Sequence, residues 1–472
     1  MTIVHMAAIV MTWVLCTAVF VGLGSLLLSL LAQAWGMGLA FWTGIGVSLL
    51  ILEIWHLLFP IGPAAPAFLG ALGFVGLYLA RSKFSNWARA AYPGMGISIA
   101  FVLIAIYVLY MAAGPCNMFD TGLYGKQTVQ WIQAYRVVPG LANLHGRFGF
   151  NSGTFLFFAA LDHGYWFGAS QHLFDQLLAV ALLAWMIPAW LRIFRLGTSS
   201  SPIDWVMAVL AMPVLSWSIT SVEGMNSDTP ATALCMVAAI LIYESLVRKG
   251  GDEPSAVKST TDVTPQLFVA GFLLAAAVGF KLSSIGFSVT GWAIVFILLA
   301  RSRAGTGRTR AMVLLVAASV AVIVPWMIHG IVLSGYPLYP STAFGMPVDW
   351  LATRAAKLDE LFIRSWARLP RAEPDESVGA KWIKSWLIAF AKDRVFFMLP
   401  AVTLLFAAAA AGIKRFRREP LVARASRSGW WILLASAVSL VVWFVKAPDP
   451  RFASVAIFMI PAVVVAAVLT DA

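Results

Sequence analysis

The chain has 472 residues, 61% of them hydrophobic and 11% charged, with a mean hydropathy of +0.85 and a net charge of +12. No soluble domain of that length has an interior able to hold so much apolar side chain, so the composition implies a polytopic membrane protein. The positive balance does not mark a nucleic-acid binder, because the lysines and arginines fall between apolar runs, the pattern that encodes membrane topology.

Thirteen stretches read as spans, at about 8–33, 36–58, 63–80, 94–112, 171–191, 203–220, 230–247, 265–280, 284–300, 311–332, 395–413, 429–446 and 453–470. The first begins too early, runs too long and lacks the basic flank of a cleavable signal, so it reads as a span. Cys16, Cys116 and Cys235 are scattered, with neither a disulfide framework nor metal-ligand spacing. The clusters Arg81/Lys83/Arg89, Arg192/Arg195, Arg248/Lys249, Arg301/Arg303/Arg308/Arg310 and Lys414/Arg415/Arg417/Arg418 all fall on one side, which the positive-inside rule makes cytoplasmic. The N-terminus is then outside and the C-terminus inside. The expected fold class is all-α polytopic, in four parts. Residues 1–93 are N-terminal accessory helices, a candidate surface for a membrane-protein partner. Residues 94–332 form a seven-span core with its first outer loop at 113–170. A second outer loop, 333–394, carries amphipathic helices, and residues 395–472 hold the C-terminal spans with an outer turn at 446–452.

In the first outer loop, 123–135 has the pattern of a helix lying on the membrane, ended by Pro139-Gly140. Residues 153–167 are apolar but short and broken by Asp162 and His163, which reads as a re-entrant or juxtamembrane helix. The second loop opens with Gly335-Tyr-Pro-Leu-Tyr-Pro-Ser341, continues through Asp349-Trp350, and carries helical runs at 351–368 and 380–392, the latter with Trp382, Trp386 and Leu387 on its apolar side.

This topology places Asp120, His145, Arg147, Asn151, Glu223, Asp228, Lys281, Asp349, Asp449 and Arg451 on the outer face. The spans themselves are nearly free of charge, Glu53 excepted, which is expected to pair with His56 or lie near an interface. A transporter wants polar groups near the midplane and symmetry between halves, and neither is visible. Charges gathered from separate connections at a bilayer edge suggest a cavity. Their chemistry suits transfer of a group from an anionic lipid carrier. A carboxylate takes a proton from an acceptor hydroxyl, cations neutralise a departing phosphate, and tyrosine or tryptophan stacks on a sugar. Asp120, next to Thr121-Gly122, is the candidate base. Lys281 at a span end faces either the outer cavity or the headgroups, and Arg451 contacts phosphate or pairs with Asp449 between two prolines.

The strings Phe119-Asp-Thr-Gly-Leu-Tyr124, Val138-Pro-Gly-Leu-Ala-Asn-Leu-His-Gly-Arg-Phe-Gly-Phe-Asn-Ser152, Gly335-Tyr-Pro-Leu-Tyr-Pro-Ser341 with Asp349-Trp350, and Pro448-Asp-Pro-Arg-Phe452 resemble an uncharacterised family of bacterial multi-pass membrane proteins, over about 94–470. More distantly the chain resembles the GT-C superfamily of membrane glycosyltransferases that use polyprenyl-phosphate sugars. With 94–112 as the first core span and 311–332 as the seventh, the two long outer loops fall where that resemblance asks, and Asp120 takes the position of the catalytic aspartate. The resemblance implies an inverting transferase in a bacterial inner membrane, its site facing the periplasm. It would move sugar from a polyprenyl-phosphate carrier to a glycan, lipid or other acceptor. Arg147, His145, Asn151, Lys281, Arg451, Asp449, Tyr336 and Tyr339 are then candidates for holding phosphate or sugar, and Glu223, Asp228 and Asp349 for acidic or acceptor roles. A divalent metal, Mg or Mn, is left open. A polysaccharide polymerase or ligase using a diphosphate-linked donor, and a lipid-linked glycan transporter, are the alternatives. The three spans before the core depart from the resemblance.

Overall fold

The computed structural model describes residues 3–31, 33–83, 95–116, 118–194, 200–220, 224–250, 263–302, 305–369, 379–419 and 424–470. Among them all regular structure is helical, and the chain is an all-α polytopic membrane protein. The helices are α1 (Ile3–Ser29), α2 (Met37–Leu58), α3 (Ala64–Ala80), α4 (Met95–Ala112), α5 (Lys126–Ala134), α6 (Thr154–Leu161), α7 (Phe174–Phe194), α8 (Pro202–Thr220) and α9 (Asp228–Gly250). There follow α10 (Thr264–Phe280), α11 (Ile285–Ala300), α12 (Gly305–Ser334), α13 (Thr353–Arg368), α14 (Trp382–Ala391), α15 (Leu399–Phe416), α16 (Ile432–Lys446) and α17 (Ser454–Leu469).

Each expected span has its helix, and α5, α6, α13 and α14 occupy the two long loops. Ten spans have the length and composition to cross a membrane, whereas α4, α8 and α10 contribute shorter apolar stretches. For α10 the reason is visible. At 17 residues it is roughly 25 Å long, less than the bilayer core. It packs against α9, α11, α12 and α2, and every residue but Gln266 is buried, so neighbouring helices surround it where lipid would otherwise set its length. Burial also separates central from peripheral spans: the apolar window of α9 is 83% buried and that of α15 only 17%.

The first three helices are joined by close backbone approach. A Cβ on Gly22 would overlap the Gly73 carbonyl, one on Gly76 the Gly22 carbonyl, and one on Gly44 the Phe20 carbonyl. Small residues at such crossings let backbones meet and gain van der Waals contact where lipid offers no hydrophobic drive. The grouping of 1–93 as accessory needs correcting for α2. That helix packs on α10 and α12, with Phe272 against Gly46 and Leu49 against Gly153 and Gly279. It belongs to the core, and α3 is the outlying helix, with Phe74, Val75, Tyr78 and Leu79 exposed.

Helix α6 is buried from Thr154 to Ala160 and packs on α2 and α5. Eight residues are too short to span, and such a segment is stable at membrane depth only when enclosed by protein. In α14, Trp382 and Trp386 are buried against Phe444 of α16, while Leu387 faces outward, contrary to the expected apolar side.

The bundle has two chemically distinct ends. At one, Lys83 lies over the Trp35 ring, Lys414 donates to the Thr470 carbonyl and Ser428 to that of Leu246. This is the basic end. At the other, the 118–153 loop, the starts of α7 and α9, the ends of α10 and α12, and the α16–α17 turn are tied together by the contacts described next.

Candidate functional site

After α4, residues Thr121–Gly125 make one wide turn that runs straight into α5. Thr121 is buried, and its Oγ1 accepts the Met225 N–H at 2.9 Å, which locks this turn to the segment leading into α9. Asp120 stands at the head of the turn, exposed, and among the described residues its carboxylate has neither a hydrogen bond nor an ion pair. Four positions on, Tyr124 points inward, edge-on to Phe155. Asp120, Arg147, Asp228 and Arg451 all act on its phenol electrostatically. Burial first, and then the Asp120 charge, push that phenol above its ordinary range, so it stays a neutral hydrogen-bond donor at physiological pH. Tyr124 thus feels charges carried by three connections: the first loop, the start of α9 and the α16–α17 turn. Sequence reasoning quoted it within a motif without assigning it a role, although its spacing from Asp120 already placed both on one turn.

The 138–152 string folds as consecutive tight turns. Gly140 is in the left-handed region (φ 70°), donates its N–H to the Val332 carbonyl, and lies too close to the Trp350 side chain to admit a Cβ. His145 Nδ1 accepts the Arg147 N–H at 3.2 Å, so this exposed imidazole shapes the turn. The Arg147 guanidinium lies 4.9 Å from the Phe150 ring, 5.1 Å from Phe362 and 6.0 Å from Tyr124, and has no ion pair among the described residues. Stacked cations without a carboxylate are free to take a phosphate.

Asn151, expected as a ligand for the donor, is committed to structure. Its amide donates to the Trp326 carbonyl, and its Oδ1 lies 2.9 Å from His329 Nδ1. His329 Nε2 in turn lies 2.6 Å from His56 Nδ1, and His56 Nε2 lies 3.2 Å from the Tyr135 carbonyl oxygen. This buried chain fastens the first loop to α2 and α12. It also explains Glu53, which is fully buried with neither carboxylate oxygen bonded among the described residues, because the His56 ring is already engaged elsewhere.

The remaining cations come from helix ends. Lys281, immediately after α10, forms an ion pair with Asp228 at the start of α9, so it does not snorkel into headgroups. Its Nζ also lies 4.7 Å from the Phe452 ring. Arg451 binds Asp449 through Nε (3.1 Å) and Nη2 (2.8 Å), a two-pronged pair within one turn. Trp386 and Trp443 donate their indole N–H groups to the Pro448 and Asp449 carbonyls and hold that turn in place. Asp228, Lys281, Arg451, Phe452, Ser283 and Ser284 line one small, open cleft.

Asp175, in the first turn of α7, is a residue that sequence reasoning did not single out. It is fully buried, accepts the Asn226 N–H at 3.0 Å, and lies within electrostatic reach of Asp228, while Asn226 Oδ1 accepts the Asp228 N–H at 2.8 Å. The 224–228 segment therefore links Asp175, the Thr121 turn and the Lys281 pair.

Tyr336 and Tyr339 are 4% and 5% exposed, so their rings are not open faces for a sugar. Tyr336 bonds Thr353 (2.7 Å) and Tyr339 donates to Asp359 (2.6 Å), which fixes α13 to the rim. Asp349 is exposed on the same loop without a described contact to the cleft. Glu223 lies outside the described residues. No three His, Cys, Asp or Glu side chains converge as a metal site among the described residues. The structure thus brings Asp228, Lys281 and Arg451 to one cleft, with Asp449 holding Arg451, and sets Arg147 6.0 Å from the Tyr124 ring on the loop that also carries Asp120. His145 and Asn151 serve the scaffold.

A family described as "Domain of unknown function (DUF8201)" matches residues 6–458. No curated protein and no solved structure matches the chain.

Proposed function

The chain belongs to this family, and on that premise we propose that it is an inverting glycosyltransferase of GT-C type, moving a sugar from a polyprenyl-phosphate carrier to an extracytoplasmic acceptor. The observation that carries the reading is the pairing of opposites around Tyr124. Among the described residues the Asp120 carboxylate has no cation bound to it and the Arg147 guanidinium no carboxylate, and both act electrostatically on the half-buried Tyr124 phenol. A structural salt bridge would have joined the two charges. Held apart, the carboxylate is available to a hydroxyl and the guanidinium to a phosphate.

In this reading an acceptor hydroxyl attacks the anomeric carbon and Asp120 accepts its proton. The bond from that carbon to the phosphate oxygen breaks, and the carrier leaves as polyprenyl phosphate, its charge met by Arg147 and Arg451. Asp449 holds Arg451 in a fixed orientation, and the Lys281–Asp228 pair keeps the cleft wall polar. The one-sided basic clusters support a bacterial inner membrane location with this end facing the periplasm.

The test is purified Asp120→Asn protein in lipid nanodiscs, with donor binding and sugar transfer measured together. We expect normal folding, retained donor binding, and transfer reduced about a hundredfold or more. Near-normal transfer would remove Asp120 as the base. Passage of intact donor across the bilayer, without sugar transfer, would assign the chain to transport.

A further inference from the structure

Helix α13 bridges the mouth of the site. Midway along it Asp359 receives the Tyr339 hydroxyl and abuts Gly146, beside Arg147. At its end Arg368 donates to the Val445 carbonyl and lies over the Trp382 ring, next to the turn that carries Arg451. Its charged residues are partly engaged with protein, as in the Arg364–Glu360 pair. Its exposed side carries Arg354 and Lys357 near the start and, beyond them, the apolar Leu358, Leu361, Phe362 and Trp366, which are 56%, 39%, 51% and 44% exposed. At helical spacing these four form one stripe, within which Phe362 and Trp366 stack at 6.3 Å. On a helix beside the membrane such a stripe meets lipid chains, and what sets this one apart is the Arg147 guanidinium, 5.1 Å from its Phe362 ring with no ion pair of its own among the described residues.

We propose that the α13 stripe is the seat of the hydrocarbon chain of a lipid phosphate ester, whose phosphate docks on Arg147 at the edge of the cleft. Charge complementarity selects this occupant over a purely apolar one, since the stripe and an unpaired cation share the Phe362 ring. The seat rests on the proposed transferase reading in one respect, that the lipid phosphate is the donor's carrier. It adds to that reading the element which recognises the chain and the route, along α13, by which the lipid reaches the cleft from the side. Burial of the first chain units contributes apolar area, and the stacked guanidinium contributes a charge-assisted contact.

The experiment uses the full chain in phosphatidylcholine nanodiscs, with undecaprenyl phosphate, undecaprenol and inorganic phosphate as probes, none of which carries a sugar. Two stripe variants, Phe362→Gln with Trp366→Gln and Leu358→Gln with Leu361→Gln, alter exposed positions, and Arg147→Gln removes the cation. Thermal unfolding of each variant establishes that it is folded. We expect undecaprenyl phosphate to bind the parent at least tenfold more tightly than undecaprenol. Binding should weaken tenfold or more in Arg147→Gln and in at least one folded stripe variant. Parent-like binding in both stripe variants would overturn the seat, as would equal competition by inorganic phosphate, which would locate recognition in the headgroup alone. Binding that depends on the stripe, in a protein that transfers no sugar, would keep the seat and sink the transferase reading. Sugar transfer indifferent to the stripe would do the reverse.

Discussion

At the basic end, Arg248 pairs with Glu244 one turn away on its own helix, and Arg192 reaches Asp204 across the short connection between α7 and α8. Arg81 and Arg308 donate to backbone carbonyls close by in sequence, and Lys414 alone of the cations described there reaches a distant carbonyl, that of Thr470, so the ion pairs of this end are local. At the site end Arg451 also pairs locally, with Asp449 two positions away, but one ion pair is drawn from afar. Lys281 meets Asp228 across 53 positions, and Tyr124 feels charges from the first loop, the start of α9 and the α16–α17 turn. Local pairing answers local needs, namely terminal carbonyls and topology. Convergent pairing is what a cleft requires, because no single segment can surround a ligand.

The sharpest test of that contrast is Lys281→Met. It leaves Asp228 in the cleft wall without its cation. Both side chains are about four-fifths buried. Breaking a buried pair on one side costs roughly 3–5 kcal/mol. Discounted for the remaining exposure, we expect a loss of about 2 kcal/mol in equilibrium unfolding in mixed micelles. The double variant Lys281→Met/Asp228→Asn should recover at least half of it, since neither charge is then stranded. A single-variant loss no larger than at the basic end would erase the contrast.

How much of this was legible beforehand follows the same division. A helix stands within several residues of each of the thirteen expected spans, and ten are long and apolar enough to cross a membrane, because apolar length is a local property. The shared end of the charged residues followed from counting spans. What the sequence did not display is which side chains face each other. Asn151 and His329 are 178 positions apart, and nothing in either local pattern announces their hydrogen bond. The inward turn of Tyr336 and Tyr339 depends on α13 folding back over them, and the core position of α2 depends on where Gly46 and Leu49 find partners. Asp175 was not singled out for a different reason: nothing in the 171–191 stretch around it marks a role, and its importance comes from Asn226, whose N–H it accepts, and from Asp228.

Arg451→Lys is the next test and separates geometry from charge. Lysine keeps the positive charge but cannot reproduce the two-pronged contact with Asp449. We expect about 1 kcal/mol of lost stability. If the proposed role of Arg451 holds, sugar transfer should fall about tenfold, since one charge-assisted contact is worth about that much. Full transfer in the lysine variant would mean that the cleft needs a cation at this position without needing its orientation.

The smallest effect belongs to Arg248→Gln at the basic end. The Arg248–Glu244 pair spans one helical turn at 2.6 Å, with its side chains 45% and 25% exposed. Such pairs contribute about 0.3–0.5 kcal/mol, because water screens the charges and ordering two long side chains costs entropy. Arg248 also sits in the last turns of α9, where a cation complements the helix dipole, adding at most a comparable amount at an exposed position. Orientation in the membrane is set by all the basic clusters together, and the others remain intact in this variant. We therefore expect a stability change of about 0.5 kcal/mol or less, unchanged topology by cysteine labelling, and parent-like sugar transfer. A loss approaching that of Lys281→Met would show that the basic end also holds a convergent charge cluster, and the functional asymmetry between the two ends would no longer stand.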